Sequence, residues 1–343
     1  MSHTLYLGSY TKRESKGVHK IQLNTETQQL EDYQLIAEVD SPTYLTFSGD
    51  KKKMYTISKE EDGGGLTSFA LQDDGTYKKI ASNTSEDAAP CYIALDEVRN
   101  LIFTASYHGG FLSVYREHAD GTIELVDRVE HEGSSTHENQ DAPHVHYTDY
   151  SPDKKYLFVC DLGTDGVYTY TVSDEGKLKE VSRYTAKAGT GPRHLVFQPN
   201  GKTVYLLGEL SSEIEILTYD KDDGSLTYQD RIATIPESHT TFNSGAAIRV
   251  TFDGKYVYSS NRGHDSIAAF KVSDADQSLS LIEIVPSEGN TPRDFNLTPD
   301  DGYLVVGHQD SDHLTLFSRD DLTGKLKLKQ KDVYAPECVC ITF

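Results

Sequence analysis

This sequence predicts an all-β fold, a seven-bladed β-propeller of four-stranded blades, on three grounds. Pro42, Pro90, Pro143, Pro192, Pro292 and Pro336, with Gly245, recur roughly 44 to 53 residues apart and lead the same phrase each time. No stretch of about 12 residues or more repeats apolar side chains at helical spacing. The last unit stops after one strand, while the first residues supply three strands that no later unit claims.

The repeated phrase is an apolar strand, a tight turn, an aromatic strand, a polar loop, a strand ending in an aromatic, an Asp/Gly turn and a polar strand. From Pro192 it reads as a strand over 193–197, a turn at Pro199-Asn200-Gly201-Lys202 and a strand over 203–207. The loop Glu209-Leu210-Ser211-Ser212 follows, then a strand over 213–219, the turn Asp222-Asp223-Gly224-Ser225, and a strand from Leu226. Asn-Gly and Asp-Gly stand where hairpins need a positive φ. Matching turns recur at Asp74-Gly75, Asp120-Gly121, Asp253-Gly254, Asp301-Gly302 and Thr323-Gly324. The ends explain closure: strands over 4–8, 17–23 and 30–37 need a fourth, and 338–343 supplies it as the innermost. Joining the ends this way protects the sheet edges and makes 1–343 one domain.

Composition agrees. Tyr contributes 22 residues, and Trp is absent. The four cysteines do not form a disulfide framework: Cys338 and Cys340 share one face of a strand, and Cys91 and Cys160 sit in apolar runs as packing residues. The start Met1-Ser2-His3-Thr4-Leu5 lacks the basic and apolar regions of a signal peptide, so a cytoplasmic location is expected. A net charge of −21 argues against nucleic acid or an anionic membrane as partner. A small anionic substrate stays open, provided positive charge is concentrated locally.

Topology says where. In a four-stranded meander, the segment leading into strand one and the loop between strands two and three emerge on the same face. That face collects His144, His146, Arg193, His194, Arg293 and Asp294 from the first set. Glu60-Glu61, Tyr107-His108, Asp161, Glu209, Asn261-Arg262 and His308-Gln309 come from the second. The opposite turns are a bland mixture of Asp, Gly, Lys and Asn. Of 11 arginines, Arg193, Arg262 and Arg293 take inner positions on three consecutive repeats. Their planar forks suit phosphate or carboxylate. The competing reading makes them bridges to Glu209, Asp161 or Asp294.

Other chemistries find no motif. His131-Glu132 and His137 do not make His-Glu-x-x-His, and no cysteine pair has zinc spacing, so no metal or other cofactor is expected. Gly63-Gly64-Gly65 lacks the helix a phosphate loop needs and reads as a flexible tip between strands. No Gly-x-Ser-x-Gly elbow is present, so water activated by a general base is the simpler route.

Seven phrases in order resemble the propeller lactonase family. They are Tyr6-Leu7-Gly8-Ser9-Tyr10-Thr11, Ala142-Pro143-His144-Val145-His146, Asp161-Leu162-Gly163-Thr164-Asp165, Gly191-Pro192-Arg193-His194, Glu209-Leu210-Ser211-Ser212, Ser260-Asn261-Arg262-Gly263-His264-Asp265-Ser266-Ile267 and Pro292-Arg293-Asp294-Phe295. The resemblance implies opening of a lactone ring by water, with 6-phospho-D-glucono-1,5-lactone as expected substrate and the pentose phosphate pathway as setting. The fold also serves a muconate cycloisomerase, whose His, Arg, Glu and Arg set matches His146, Arg193, Glu209 and Arg262 here. The sequence departs from the family pattern at Tyr92, at Ala247 in place of an acidic residue, and at Asn139, where an Arg before Gln140 is usual.

The expected catalytic set is therefore His146, Glu209, Arg193 and Arg262. His144, His194, Arg293, Asn261, Asp161 and Gln309 are expected to bind substrate. Either His146 or Glu209 takes the proton of the attacking water. Arg193 and Arg262 stabilise the oxyanion or hold the anionic group. The alternatives are a cycloisomerase, a lactonase for an unphosphorylated sugar, and a non-catalytic propeller that binds proteins. The last would carry a broad apolar patch where this sequence puts charged and polar loops.

Overall fold

The computed structural model describes residues 2–61 and 63–343; Met1 and Asp62 lie outside them. Among the described residues every regular element is a strand, and the strands form seven four-stranded sheets. The fold is an all-β seven-bladed propeller of four-stranded blades, as the repeat predicts. The blade read from Pro192 has strands Pro192–Phe197, Thr203–Gly208, Glu213–Tyr219 and Leu226–Ala233. The C-terminal strand Cys338–Thr342 pairs antiparallel with Ser2–Ser9, which continues to Gly17–Asn24 and Gln29–Glu38, so both chain ends share one sheet.

Two compact units are distinguished, residues Met1–Leu35, His194–Thr218 and Tyr228–Phe343 in the first, Ile36–Arg193 and Tyr219–Thr227 in the second. In the first, the core lies between neighbouring sheets. Tyr256, Tyr258 and Ile267 of one blade pack with Phe295, Leu304, Val306 and Phe317 of the next. Tyr205, Leu207, Ile214 and Ile216 meet Ile248, Val257 and Phe270 likewise. In the second, Tyr55, Ile57 and Leu66 pack with Ile93, Ile102 and Tyr115. Each large side chain so enclosed contributes about 1.5–3 kcal/mol. The outermost strands, such as Leu178–Thr185 and Leu226–Ala233, are largely exposed. That explains their polar composition.

Two details correct the sequence reading. In the Asp301-Gly302 turn the left-handed residue is Asp301, at φ 56°. And Gly63-Gly64-Gly65 is no loose tip: all three belong to the strand Gly63–Leu71, paired to Glu60, Lys59 and Ser58. A Cβ on Gly64 would sit 2.3 Å from Ala89 Cα, and one on Gly65 2.0 Å from Asn83 O. Glycine is there because backbone passes close by, not to supply flexibility.

One local device sets up the chemistry. Where the innermost strand begins, its register to strand two slips by a residue. Val145 pairs with Asp161 and Tyr147 with Cys160, leaving His146 between them. Pro292 pairs with His308 and Asp294 with Gly307, leaving Arg293 between. Such bulges turn a side chain out of the regular alternation.

A second device fixes the segment just ahead. Asp165, Asp265 and Asp312 close the loops between strands two and three, each in the left-handed region, which Asp tolerates better than most residues. Asp165 accepts hydrogen bonds from the backbone of Gly189 and Gly191 at 2.8 and 2.7 Å. Asp265 accepts from Thr291 N at 2.9 Å, and Asp312 from Glu337 N at 3.0 Å. Each aspartate thus pins the start of an innermost strand.

Candidate active site

In the first unit, Glu209, Arg262, Arg293, Gln309 and Tyr10 form one group. Glu209 heads the loop after Thr203–Gly208. Its carbonyl accepts from Gly245 N at 2.9 Å, which explains why Gly245 replaces proline in this repeat: proline has no N–H to give. Arg262 ends the strand Tyr256–Arg262 and is mostly buried. Its Nη2 faces Glu209 Oε2 at 2.9 Å, Ser244 Oγ at 2.5 Å and Gly245 O at 2.9 Å. Its Nε is enclosed and has no hydrogen-bond partner among the described residues. Burial lowers the Arg262 pKa from its usual value, Glu209 opposes that, and the charge of Arg293 adds to it. The charge of Arg293 is thus felt at Arg262, which the Glu209 carboxylate partners.

Among the described residues Arg293 pairs with no carboxylate. Among the described residues it donates to the neutral Gln309 Oε1 at 3.1 Å and stands 5.7 Å from the ring centre of Tyr10. A cation without a counter-ion, beside a second cation held by its partner, is an arrangement suited to an anion.

In the second unit, His144 and His146 surround Tyr107. The His144 ring stacks on it at 4.3 Å and donates Nδ1–H to its carbonyl at 2.8 Å; the acceptor being a carbonyl, that nitrogen carries the proton. His146 is buried, edge-on to the same ring at 5.9 Å. Asp161 lies behind this loop, fully buried. Its Oδ1 accepts from the backbone of His144, Gly163 and Thr164, and its Oδ2 from His131 at 2.8 Å. Gly163 permits that turn, since a Cβ there would lie 1.8 Å from Ala142 O. Arg193, buried, closes this unit, and His194, also buried, begins the next stretch of the first.

Over residues 4–343 the chain matches the family described as lactonase, 7-bladed β-propeller. The chain belongs to that family. It is 36% identical to the 6-phosphogluconolactonase of Bacillus subtilis (strain 168), with 98% of this chain and 97% of that one covered. A crystal structure of a protein from Lactobacillus plantarum is 43% identical, with 99% of both chains covered and a TM-score of 0.96. The periplasmic gluconolactonase of Pseudomonas aeruginosa is 27% identical, with 100% of this chain and 99% of that one covered and a TM-score of 0.93.

The propeller lactonase phrases thus fall on real structural junctions, but not every residue in them faces outward. Asn261, expected to bind substrate, is fully buried, and its amide group is satisfied by Thr234 and Ser266, so it builds the loop. Asp161, expected to do the same, has both oxygens engaged by the loop it organises. Asp294 braces the fold, pairing with Arg249 at 2.8 Å and accepting from Ile341 N. The bridge reading of the arginines is realised for Arg262 with Glu209. Gln309 supports Arg293.

Three residues stand outside the expected site set. His131 holds Asp161, accepts from Tyr170 OH at 3.0 Å and stacks on Tyr168 at 3.8 Å. Nothing in its local sequence marks it. Tyr10 follows the first strand in the phrase Ser9-Tyr10-Thr11. Glu337 follows Pro336 as Arg193 and Arg293 follow Pro192 and Pro292, so the repeat itself pointed to it.

Proposed function

We propose that this lactonase-family propeller hydrolyses a sugar lactone bearing an anionic group, with 6-phospho-D-glucono-1,5-lactone as substrate and 6-phosphogluconate as product. The observation that carries this reading is the charge pattern around Glu209: Arg262 is paired to it, while Arg293 has only neutral partners. The likeness to the Bacillus subtilis enzyme supports the phosphorylated substrate.

In the proposed reaction, water attacks the lactone carbonyl as His146 or Glu209 takes its proton. Charge collects on the former carbonyl oxygen, and Arg193 or Arg262 stabilises it. The tetrahedral intermediate collapses, the ring C–O bond breaks, and the departing alkoxide takes up the proton. Arg293 holds the anionic substituent. Its pairing with Arg262 suits Glu209 to accepting a proton or orienting the water more than to acting as an acid.

The likeness to a gluconolactonase favours a second reading, a lactone without phosphate. Turnover of phosphorylated and plain gluconolactone, each corrected for spontaneous hydrolysis, separates the two: a preference for the phosphorylated compound is expected. In folded His146→Ala and Arg193→Ala variants, turnover is expected to fall by about 10²-fold or more. Wild-type rates in both would remove these residues from the mechanism.

A further inference from the structure

Tyr10 lies on the loop between Ser2–Ser9 and Gly17–Asn24, and that loop is held with unusual thoroughness. The Glu337 carboxylate, itself 1% exposed, accepts from the backbone of Lys12, Arg13 and Glu14 at 2.9, 2.9 and 3.1 Å, and from Ser15 N at 3.4 Å. Its carbonyl accepts from Tyr10 N at 3.1 Å. Glu337 stands in the left-handed region at φ 56°, a costly conformation for a glutamate that persists only where the surroundings impose it. Its N–H is taken by Asp312, the aspartate that also binds Arg13 at 2.5 Å. Arg13 in turn reaches Gln309 O at 3.1 Å, and Gln309 is the residue that receives Arg293.

The consequence is the position of one ring. Tyr10 has Arg293 at 5.7 Å and Lys12 Nζ at 4.4 Å from its centre, and it bears electrostatically on Arg262. It is half-buried, with its ring beside these cations. Tyrosine suits this place: its ring shields the guanidinium from water, and its O–H adds a donor without adding charge.

We propose that Tyr10 contacts the substrate in the Arg293 anion subsite, donating its hydroxyl to the phosphate or carboxylate held there, and that Glu337 is the positioning residue that sets it in place. This rests on the reading of Arg293 as an anion holder given above. The test is calorimetric titration of inorganic phosphate, with gluconate in a second arm, into wild type, Tyr10→Phe and Glu337→Gln. KM and kcat for the phosphorylated lactone are measured on the same preparations.

Loss of one hydrogen bond to a charged group predicts about tenfold weaker binding of the favoured anion in Tyr10→Phe. KM should rise in proportion while kcat holds within about twofold. Glu337→Gln should follow the same split, and whichever arm responds identifies the anion. Unchanged affinity in Tyr10→Phe in both arms overturns the proposal, as does absence of binding in wild type. A Glu337→Gln protein that loses thermal stability but keeps its affinity reduces Glu337 to a purely structural role, and Tyr10→Phe then decides the rest. Should both variants weaken phosphate binding while no lactone is turned over, the subsite stands and the lactonase reading fails.

Discussion

At the scale of single residues, burial decides which polar groups do chemistry and which hold the fold. Asp161, Asn261 and His131 are all chemically versatile, yet each has its capacity taken up internally. A sequence displays residue type and spacing, not the second set of partners that consumes a carboxylate, so these residues were legible as loop residues and not as struts. His19 gives a measurable case. It is buried, stacked on Tyr33 at 4.6 Å and bound through Nδ1 to Gly17 O at 3.0 Å. Burial pulls its pKa down to about 4, with the Gly17 carbonyl working the other way. The unfolded chain, titrating near 6.5, then holds one more proton than the folded chain between about pH 6.5 and 4. Stability from this group is full above that window and falls as the pH drops through it, by roughly 3 kcal/mol in all. Denaturant unfolding at several pH values should show that slope, and His19→Phe should remove about one proton's worth of it.

At the scale of elements, the recurring device is the aspartate that ends one loop and grips the start of the next innermost strand. Asp265 accepts from Gly263 N at 3.1 Å and Thr291 N at 2.9 Å, directly ahead of Pro292 and Arg293. Asp265→Ala should cost about 1–3 kcal/mol, because a backbone donor loses its acceptor and alanine resists the left-handed conformation. Asp265→Asn keeps an acceptor oxygen and tolerates that conformation, so the denaturation midpoint of this variant should stay close to wild type. Equal losses in both would mean that the carboxylate charge, not the grip, matters. The strands were legible because their alternation and their Asn-Gly and Asp-Gly turns are local. The bulges that release His146 and Arg293 were not, because a one-residue slip depends on the partner strand's register. The triple glycine misled for the same reason: the Ala89 and Asn83 backbones that crowd it belong to another part of the chain.

At the scale of the molecule, repetition made the fold readable. Seven marks, and a lone final strand that pairs with the first three, specify a closed set of blades without any knowledge of side-chain contacts. The same repeat supplies a generic scaffold whose loops carry the differences, and that is why charge stands out at Glu209, Arg262 and Arg293 against a chain with net charge −21. The account depends on Arg262 acting on substrate in addition to bracing Glu209. Its most direct test is background-corrected hydrolysis of 6-phospho-D-glucono-1,5-lactone by wild type and by an Arg262→Ala variant shown to be folded. A fall in kcat/KM of about 10²–10³-fold is predicted; a rate within twofold of wild type would contradict it.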